Sequence, residues 1–242
     1  MPKFNDTKLA SQFSIWASLI FLIIYAKIII MRKYKDDSQI IDFINGSTVA
    51  NAKKLLGKKL LIDHSGNLVG GYIVEVEAYL GIRDMAAHSY KGRRTPKVEA
   101  MYQPGGTIYI YTMHGHNMLN FIMKKAGIPE GVLIRGIQPT EGIDFMKTNR
   151  NAESFNLTNG PGKLTKALGI TREFNGTTLN DGKIMINELE SRIPKKISSS
   201  PRIGIPNKGE WTNKLLRFYV AGNPYVSCIP KREIQELETT WE

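Results

Sequence analysis

The side chains between residues 74 and 79 alternate between apolar and polar, and this alternation constrains the fold more than any other feature of the chain. Successive side chains of an extended strand point to opposite faces. One face is therefore wholly apolar, as packing on a core requires, and it carries Val74, Val76 and Ala78. The other face offers two carboxylates and an aromatic ring, on Glu75, Glu77 and Tyr79. Such a face is either solvated or part of a functional site.

Hydrophobic periodicity and turn residues predict further strands and helices along the chain. The predicted strands cover residues 58–63, 68–79, 107–113, 131–137 and 215–220. A helix capped by Ser47 or Thr48 is expected to end at Gly57, and two others are expected at 139–147 and 160–168. Strands and helices intermix without a regular βαβ period. This order favours an α+β fold over a doubly wound one.

An almost wholly apolar segment, residues 15–31, precedes these elements and is followed by a basic cluster at Arg32, Lys33 and Lys35. Its length is at the short end of a membrane span. Three interpretations are open: a membrane anchor, a buried helix, or an upstream extension that the working protein lacks because Met31 begins the chain. We favour the extension, covering residues 1–36, and expect a cytoplasmic protein associated with the nucleoid. Membrane anchoring is the less favoured alternative.

The charge balance points to a polyanionic partner. The chain has 33 Lys and Arg against 22 Asp and Glu, which gives a formal net charge of +11. Nucleic acid and an anionic membrane surface both fit this excess, and a basic composition without a specific partner is the alternative. Cys228 is the only cysteine, which excludes an internal disulfide and a cysteine-rich zinc site.

Two further strands carry side chains suited to a site. Tyr109 and Tyr111 share one face of strand 107–113, where they would serve either cross-strand packing or stacking on a planar base. Arg135 lies on one face of strand 131–137 with Leu133 and Ile137. A guanidinium among apolar residues needs an anionic partner, and Glu77 would serve.

Basic residues concentrate in two places. The loop at 86–97 carries His88, Lys91, Arg93, Arg94 and Lys97. It is either a solvated loop or a set of phosphate contacts. Lys163 lies in the first turn of the predicted helix 160–168, where free backbone N–H groups attract anions.

Six motifs in order resemble those of the alkyladenine (3-methyladenine) DNA glycosylase family. They are IVEVEAYLG (73–81), AAHSYKGRRTPK (86–97), PGGTIYIY (104–111), VLIRGIQPTEG (132–142), NGPGKLTKALGI (159–170) and GEWTNKLLRFYV (209–220). The resemblance covers about residues 43–230. We accordingly expect residues 37–242 to form a single glycosylase domain, with a curved, mostly antiparallel sheet surrounded by helices.

The resemblance implies how the site works. Glu77 matches the family's general base, which activates water for attack on the deoxyribose C1′, and Arg135 matches a residue that helps to hold that water. The segment Arg202-Ile203 matches one whose backbone carbonyl also touches the water. Neither a cofactor nor a metal is implied, and the absence of any need for a Schiff-base lysine fits a monofunctional hydrolase. The partner would be double-stranded DNA with damaged purines, bound by a monomer without a protein partner.

The same resemblance assigns a base pocket. Tyr79 and Tyr111 match the rings that sandwich the flipped base, and His88 matches a residue at its edge. Asn120 resembles the steric gate against the guanine amino group. Arg93, Arg94, Lys97 and Lys163 are expected to contact DNA. Where the family has a bulky aromatic that fills the gap left by the flipped nucleotide, this chain has His114.

Two alternatives compete with this interpretation. The first is a non-catalytic binder of damaged DNA, and the presence of both Glu77 and Arg135 argues against it. The second is a zinc hydrolase that uses His88, His114 and His116, because a His-x-His pair places two ligands on one strand face. Nothing else in the sequence resembles a metal site.

Overall fold

The structure is a computed structural model that describes residues 45–179, 183–187 and 189–242. The predicted extension 1–36, its apolar segment 15–31 and the predicted start of the domain at residue 37 lie outside the described residues. None of the helices within those described ranges is long and apolar enough to cross a membrane.

The described residues form three α-helices and eight strands. The helices are α1 (Thr48–Leu55), α2 (Ile143–Arg150) and α3 (Pro161–Ala167). The strands are β1 (Lys59–His64), β2 (Asn67–Tyr79), β3 (Ile108–Met113), β4 (His116–Ile122), β5 (Gly131–Glu141), β6 (Ile184–Asn187), β7 (Ile197–Ser200) and β8 (Arg217–Val220). Short 3₁₀ turns occupy much of the remaining chain, among them Gly81–Arg83, Glu99–Tyr102 and Arg172–Phe174.

All eight strands belong to one antiparallel sheet organised around β2. Its main order is β3-β4-β5-β2-β1-β6, and β8 pairs with both β2 and β7. Residues 67–72 of β2 pair with β1, residues 75–77 pair with β8, and β5 runs along the other edge. Bulges in the β2–β5 ladder, at Gly70/Gly71 and on both sides of Glu75, bend the strands. The predicted α+β class with a curved, mostly antiparallel sheet is confirmed.

The two faces of β2 meet different surroundings, but both are buried. Val74, Val76 and Ala78 are fully buried in the main hydrophobic core, as predicted. Glu75 and Glu77 on the opposite face are also 0% exposed. The interpretation of this face as solvated is therefore wrong, and both carboxylates need partners inside the protein.

The helix α1 begins where predicted and ends at Leu55, two residues before Gly57. Ser47, rather than Thr48, is the cap: its Oγ accepts from the backbone N of Ala50 at 3.1 Å. Thr48 instead donates its hydroxyl to Glu130. The chain turns away at Gly57, whose φ of +82° suits a residue without a Cβ.

The predicted start of a helix at Pro139 is wrong. The strand β5 continues through Pro139 to Glu141, and α2 begins only at Ile143. Pro139 is tolerated there because it pairs with Gly71 at a bulge, where the ladder is already irregular. The turn out of the strand is made by Gly142, which adopts a left-handed φ of 64°.

The strands β4, β6 and β7 were not predicted. The strand β4 follows β3 through a two-residue turn, His114-Gly115, with φ values of 50° and 77°. Positive φ at both positions is the geometry of a type I′ hairpin turn. The strand β3, which includes Tyr111, pairs with β4 and forms one end of the main strand order.

Candidate active site

A cavity of about 120 Å³ opens among β2, β3, β4, β5 and the segment 203–205. All six residues whose side chains were predicted to be catalytic or to contact the base line it: Glu77, Tyr79, His88, Tyr111, Asn120 and Arg135. They come from four strands and one loop that are far apart in the chain. The structure brings them together, while the role of each residue remains a prediction.

The Glu77 carboxylate is fully buried and held by two hydrogen bonds and one ion pair. Its Oε1 accepts from the backbone N of Ile203 at 2.8 Å and lies 3.2 Å from Arg135 Nη1. Its Oε2 accepts from the Tyr79 hydroxyl at 2.9 Å. Burial raises the pKa of Glu77 above its ordinary value, and the opposing effects of Arg135, the Ile203 N–H and the Tyr79 hydroxyl only partly offset it.

Arg135 has the predicted partner, Glu77, and also a closer one that the sequence analysis missed. Its Nε donates to Glu75 Oε1 at 2.8 Å. The same carboxylate oxygen accepts from Arg217 Nε at 2.7 Å. The sequence contains signals for this cluster of two carboxylates and two arginines. Glu75 shares a strand face with Glu77, and Arg217 lies in the apolar run of β8. What was missing was the pairing of β8 with β2.

Aromatic rings form one wall of the cavity. The Nδ1 of His88 lies 2.9 Å from the Tyr109 hydroxyl, and its ring meets Tyr111 edge-on with centroids 4.5 Å apart. His88 keeps a solvent-exposed side, yet the surrounding protein atoms, and secondarily Arg93, lower the pKa of its imidazole. Burial raises the pKa of Tyr111 to about 12. Both side chains are therefore mainly neutral at pH 7.

Tyr79 is fixed from one side by a buried cation. The guanidinium carbon of Arg202 lies 4.6 Å from the centre of the Tyr79 ring. Arg202 in turn makes a two-bond ion pair with Asp84, at 2.6 and 2.9 Å, and both side chains are 0% exposed. Asp84 also accepts from the backbone N of Leu80 at 3.0 Å, which ties the loop after β2 to the same pair.

The segment 202–203 reaches Glu77 through a backbone amide, and the implied contact of its carbonyl with the water stays a prediction. The N–H of Ile203 donates to the Glu77 carboxylate at 2.8 Å. Asn120 lies in the cavity wall as expected. Its Nδ2 donates to the backbone oxygens of Tyr109 and Met118, each at 3.1 Å, so the amide is held in one orientation.

The predicted DNA-contacting cations fall into two groups. Arg93 and Lys97 are exposed and line a groove next to the cavity, which His88, Tyr109 and Tyr111 border on the other side. The sequence analysis missed Arg172, an exposed cation in the same groove that comes from a distant turn.

Two other cations are already engaged within the protein. Arg94 pairs with Glu99 at 2.5 Å and lies over the Tyr102 ring at 4.7 Å. The Nζ of Lys163 donates to the side-chain oxygens of Asn156 and Asn159, at 2.6 and 2.8 Å. We therefore expect Arg94 and Lys163 to contribute less to DNA binding than Arg93 and Lys97.

His114 lies at the exposed tip of the β3–β4 hairpin, as a residue that projects beyond a strand end should. His88, which the zinc-hydrolase alternative grouped with His114, lies in the cavity wall with its Nδ1 at 2.9 Å from the Tyr109 hydroxyl. Across the part of the chain that the structure describes, no group of three or more His, Cys, Asp or Glu side chains could hold a metal ion.

The buried pair of Asp84 and Arg202 yields a stability prediction. Asp84→Asn should lower the free energy of unfolding by about 3 kcal/mol, because it leaves Arg202 as an uncompensated buried charge. Glu99→Gln makes the same chemical change in the exposed pair with Arg94 and should cost far less. Urea unfolding of both variants measures the difference. Equal losses would show that the buried pair is not a structural support.

The chain matches the family model described as methylpurine-DNA glycosylase over residues 42–224. Curated relatives cover most of the chain. A protein of Staphylococcus epidermidis, provisionally named 3-methyladenine DNA glycosylase, is 54% identical over 202 residues, which is 84% of this chain and 98% of the relative. Proteins with the same provisional name from Staphylococcus saprophyticus and Staphylococcus aureus are 52% and 51% identical, covering 83% of this chain and 98% and 100% of the relatives. The chain therefore belongs to the methylpurine-DNA glycosylase family, a family of base excision repair enzymes.

Proposed function

We propose that this DNA glycosylase flips a damaged purine out of double-stranded DNA and hydrolyses its N-glycosidic bond with Glu77 as the general base. The observation that carries the proposal is the setting of Glu77: a fully buried carboxylate that lines an aromatic cavity and is held by Arg135, Tyr79 and the Ile203 N–H. Desolvation strengthens such a base, because it makes protonation of the carboxylate more favourable.

The proposed substrates are alkylated and deaminated purines, such as 3-methyladenine, 7-methylguanine and hypoxanthine. The names of the relatives from staphylococci support the first of these. A purine alkylated at N3 or N7 carries a positive charge, so the π faces of Tyr79 and Tyr111 favour it over a normal base. Neutral hypoxanthine needs additional help, by protonation at N7, to become a comparable leaving group. Damaged bases also unstack more cheaply than normal ones.

The proposed reaction is a displacement by water at C1′ of the deoxyribose. The water oxygen forms the new bond to C1′, and its proton passes to Glu77 Oε2, the oxygen with a single protein donor. The C1′–N bond breaks with its electron pair going to the base, so that an alkylated purine leaves as a neutral molecule. Among the described residues that line the cavity there is no lysine to form a Schiff base, which supports a monofunctional hydrolase.

The first test replaces the base while keeping its hydrogen-bonding shape. Glu77→Gln should reduce single-turnover release of 7-methylguanine from a duplex by about 10² to 10⁴, the usual contribution of a general base. Alkali-labile abasic sites report the release. Glu141→Gln, on the ion pair with Lys59, is the matched control and should be fully active.

Binding separates the two candidate functions in the same experiment. Glu77→Gln should bind an abasic-site duplex nearly as tightly as the unmodified protein does. Near-normal excision by this variant would remove Glu77 from the role of base. If the unmodified protein binds the duplex but releases no base, the non-catalytic binder is the better description.

The second test concerns the basic groove. Log affinity for duplex DNA should fall with log salt by about 0.9 for each phosphate contacted. Arg93→Ala, Lys97→Ala and Arg172→Ala should each flatten this slope. Arg94→Ala is the matched control and should change it less, because Glu99 already neutralises that guanidinium. A slope that responds to Arg94 as strongly as to Arg93 would refute the assignment of the groove.

The third test concerns the hairpin tip. Refilling the gap left by a flipped nucleotide offsets part of the unstacking cost, and the exposed position of His114 at the hairpin tip supports such a wedge role. His114→Ala should weaken binding to lesion DNA more than to undamaged DNA, and His114→Tyr should retain or strengthen it. Gel-shift titrations with an abasic-site duplex measure both. Equal binding by His114→Ala and the unmodified protein would leave the wedge to His116 or Asn117.

A further inference from the structure

The carboxylate of Glu75, two residues before Glu77 on β2, has no place in the reaction as described so far. Both carboxylates are 0% exposed, and two buried guanidiniums, Arg135 and Arg217, face them. Two negative and two positive groups thus balance inside the protein. Such a cluster is costly to bury, so its arrangement needs an explanation beyond neutralisation.

Glu75 accepts four hydrogen bonds from the protein and is not placed to act as a second base. Its Oε1 accepts from Arg135 Nε at 2.8 Å, Arg217 Nε at 2.7 Å and Ser227 Oγ at 2.8 Å. Its Oε2 accepts from the backbone N of Ser227 at 2.7 Å. Glu75 is also not among the residues that line the cavity. Its influence on the chemistry must therefore pass through another residue.

Arg135 is that residue, because Glu75 and Ser227 together fix the orientation of its guanidinium. The Nε is bonded to Glu75, and Nη2 donates to Ser227 Oγ at 3.2 Å. Only Nη1 approaches Glu77, at 3.2 Å. An unrestrained arginine tends to meet a carboxylate with two parallel N–H groups. Here Glu77 receives a single, longer contact.

The backbone is built to allow this arrangement. A Cβ added at Gly136 would lie 2.8 Å from the backbone oxygen of Tyr225 and 3.5 Å from Glu75 Oε2. The absence of a side chain at Gly136 lets the segment around Tyr225 approach β5 closely, which brings the Ser227 amide to Glu75. The bulges on both sides of Glu75 are in the same ladder.

We propose that Glu75 is a positioning residue for the general base: by holding Arg135 with Ser227, it prevents a two-bond pair between Arg135 and Glu77. This inference rests on the proposed function of Glu77. Its consequence is that one oxygen of Glu77 stays available to take a proton, and that the base stays strong enough to use it.

The charges around Glu77 give the direction of the expected effect. It is faced by Glu75 and Tyr79 from β2, by Arg135 from β5, by Tyr111 from β3, by Arg217 as its register partner on β8, and by the N–H of Ile203. Neutralising Glu75 leaves Arg135 and Arg217 with Glu77 as the remaining carboxylate of the cluster. Arg135 is then free to pair with Glu77 through two N–H groups, so the pKa of Glu77 should fall and the base should weaken.

The test is the pH dependence of single-turnover release of 7-methylguanine, a lesion that is already cationic and needs no protonation. With Glu75→Gln, the rise of the rate with pH should move to lower pH by about one unit, and the plateau rate should fall about tenfold or more. Glu75→Asp keeps the charge and should restore the midpoint of the unmodified protein, whatever its plateau rate. Ser227→Ala, a milder change that frees Arg135 Nη2, should shift the midpoint in the same direction as Glu75→Gln but by less.

A merely structural role predicts a different pattern. Glu75→Gln and Ser227→Ala would then lower the melting temperature and leave the midpoint of the pH profile in place, which would overturn the inference. If Glu75→Gln does not fold, Ser227→Ala still decides between the two. The proposed function is tested separately, because normal excision by Glu77→Gln would refute it. If Glu77→Gln is inactive but the pH midpoint of Glu75→Gln is unshifted, only the proposed role of Glu75 is overturned.

Discussion

The burial of two carboxylates on one strand is the constraint on which the rest of the site depends. Taking an ion out of water costs several kcal/mol even after relaxation, so Glu75 and Glu77 oblige other parts of the chain to supply cations and N–H donors. Arg135 on β5, Arg217 on β8 and the Ser227 segment meet this need from three distant stretches of sequence. The pairing of β2 with both β5 and β8 is what lets them converge.

The two carboxylates differ in their hydrogen bonds and in their access to the cavity. Glu75 receives four hydrogen bonds and does not line the cavity, while Glu77 receives two hydrogen bonds and one ion pair and does line it. The cavity wall around Glu77 combines neutral rings with the guanidinium of Arg135, and Arg202, held by Asp84, is stacked on Tyr79. A cationic purine entering this space would meet π faces and a buried carboxylate that is paired with Arg135, and the rings and the carboxylate both favour a positive charge.

The sequence predicted those parts of the site that local patterns encode. Alternation in β2 placed Glu77 and Tyr79 on one face, and an arginine between apolar residues predicted the pairing of Arg135 with Glu77. The α+β class and the cap at Ser47 followed from periodicity and helix-end chemistry. Roles for Asn120 and His88 came from the resemblance of motifs, since no local pattern distinguishes them.

What escaped prediction depends on contacts between distant segments. The strand β4 was missed because its apolar run lacks a clear alternation, and the helix placed at Pro139 failed because a bulge accommodates proline in β5. The role of Glu75 required the β2–β8 pairing, and the position of Arg172 beside Arg93 required the fold of a remote turn. The partner of Arg94 is only five residues away, yet several acidic residues could have served.

The central claim is that a buried, ionised Glu77 activates water, and the pH profile of the unmodified protein on a 7-methylguanine duplex tests it most directly. Burial raises the pKa of Glu77 above its ordinary value of 4.5, and the base works only when ionised. The single-turnover rate should therefore increase about tenfold per pH unit below a midpoint that lies above 4.5, and then level off. A rate that is independent of pH from 4.5 to 8, in a protein that remains folded throughout, would contradict the account.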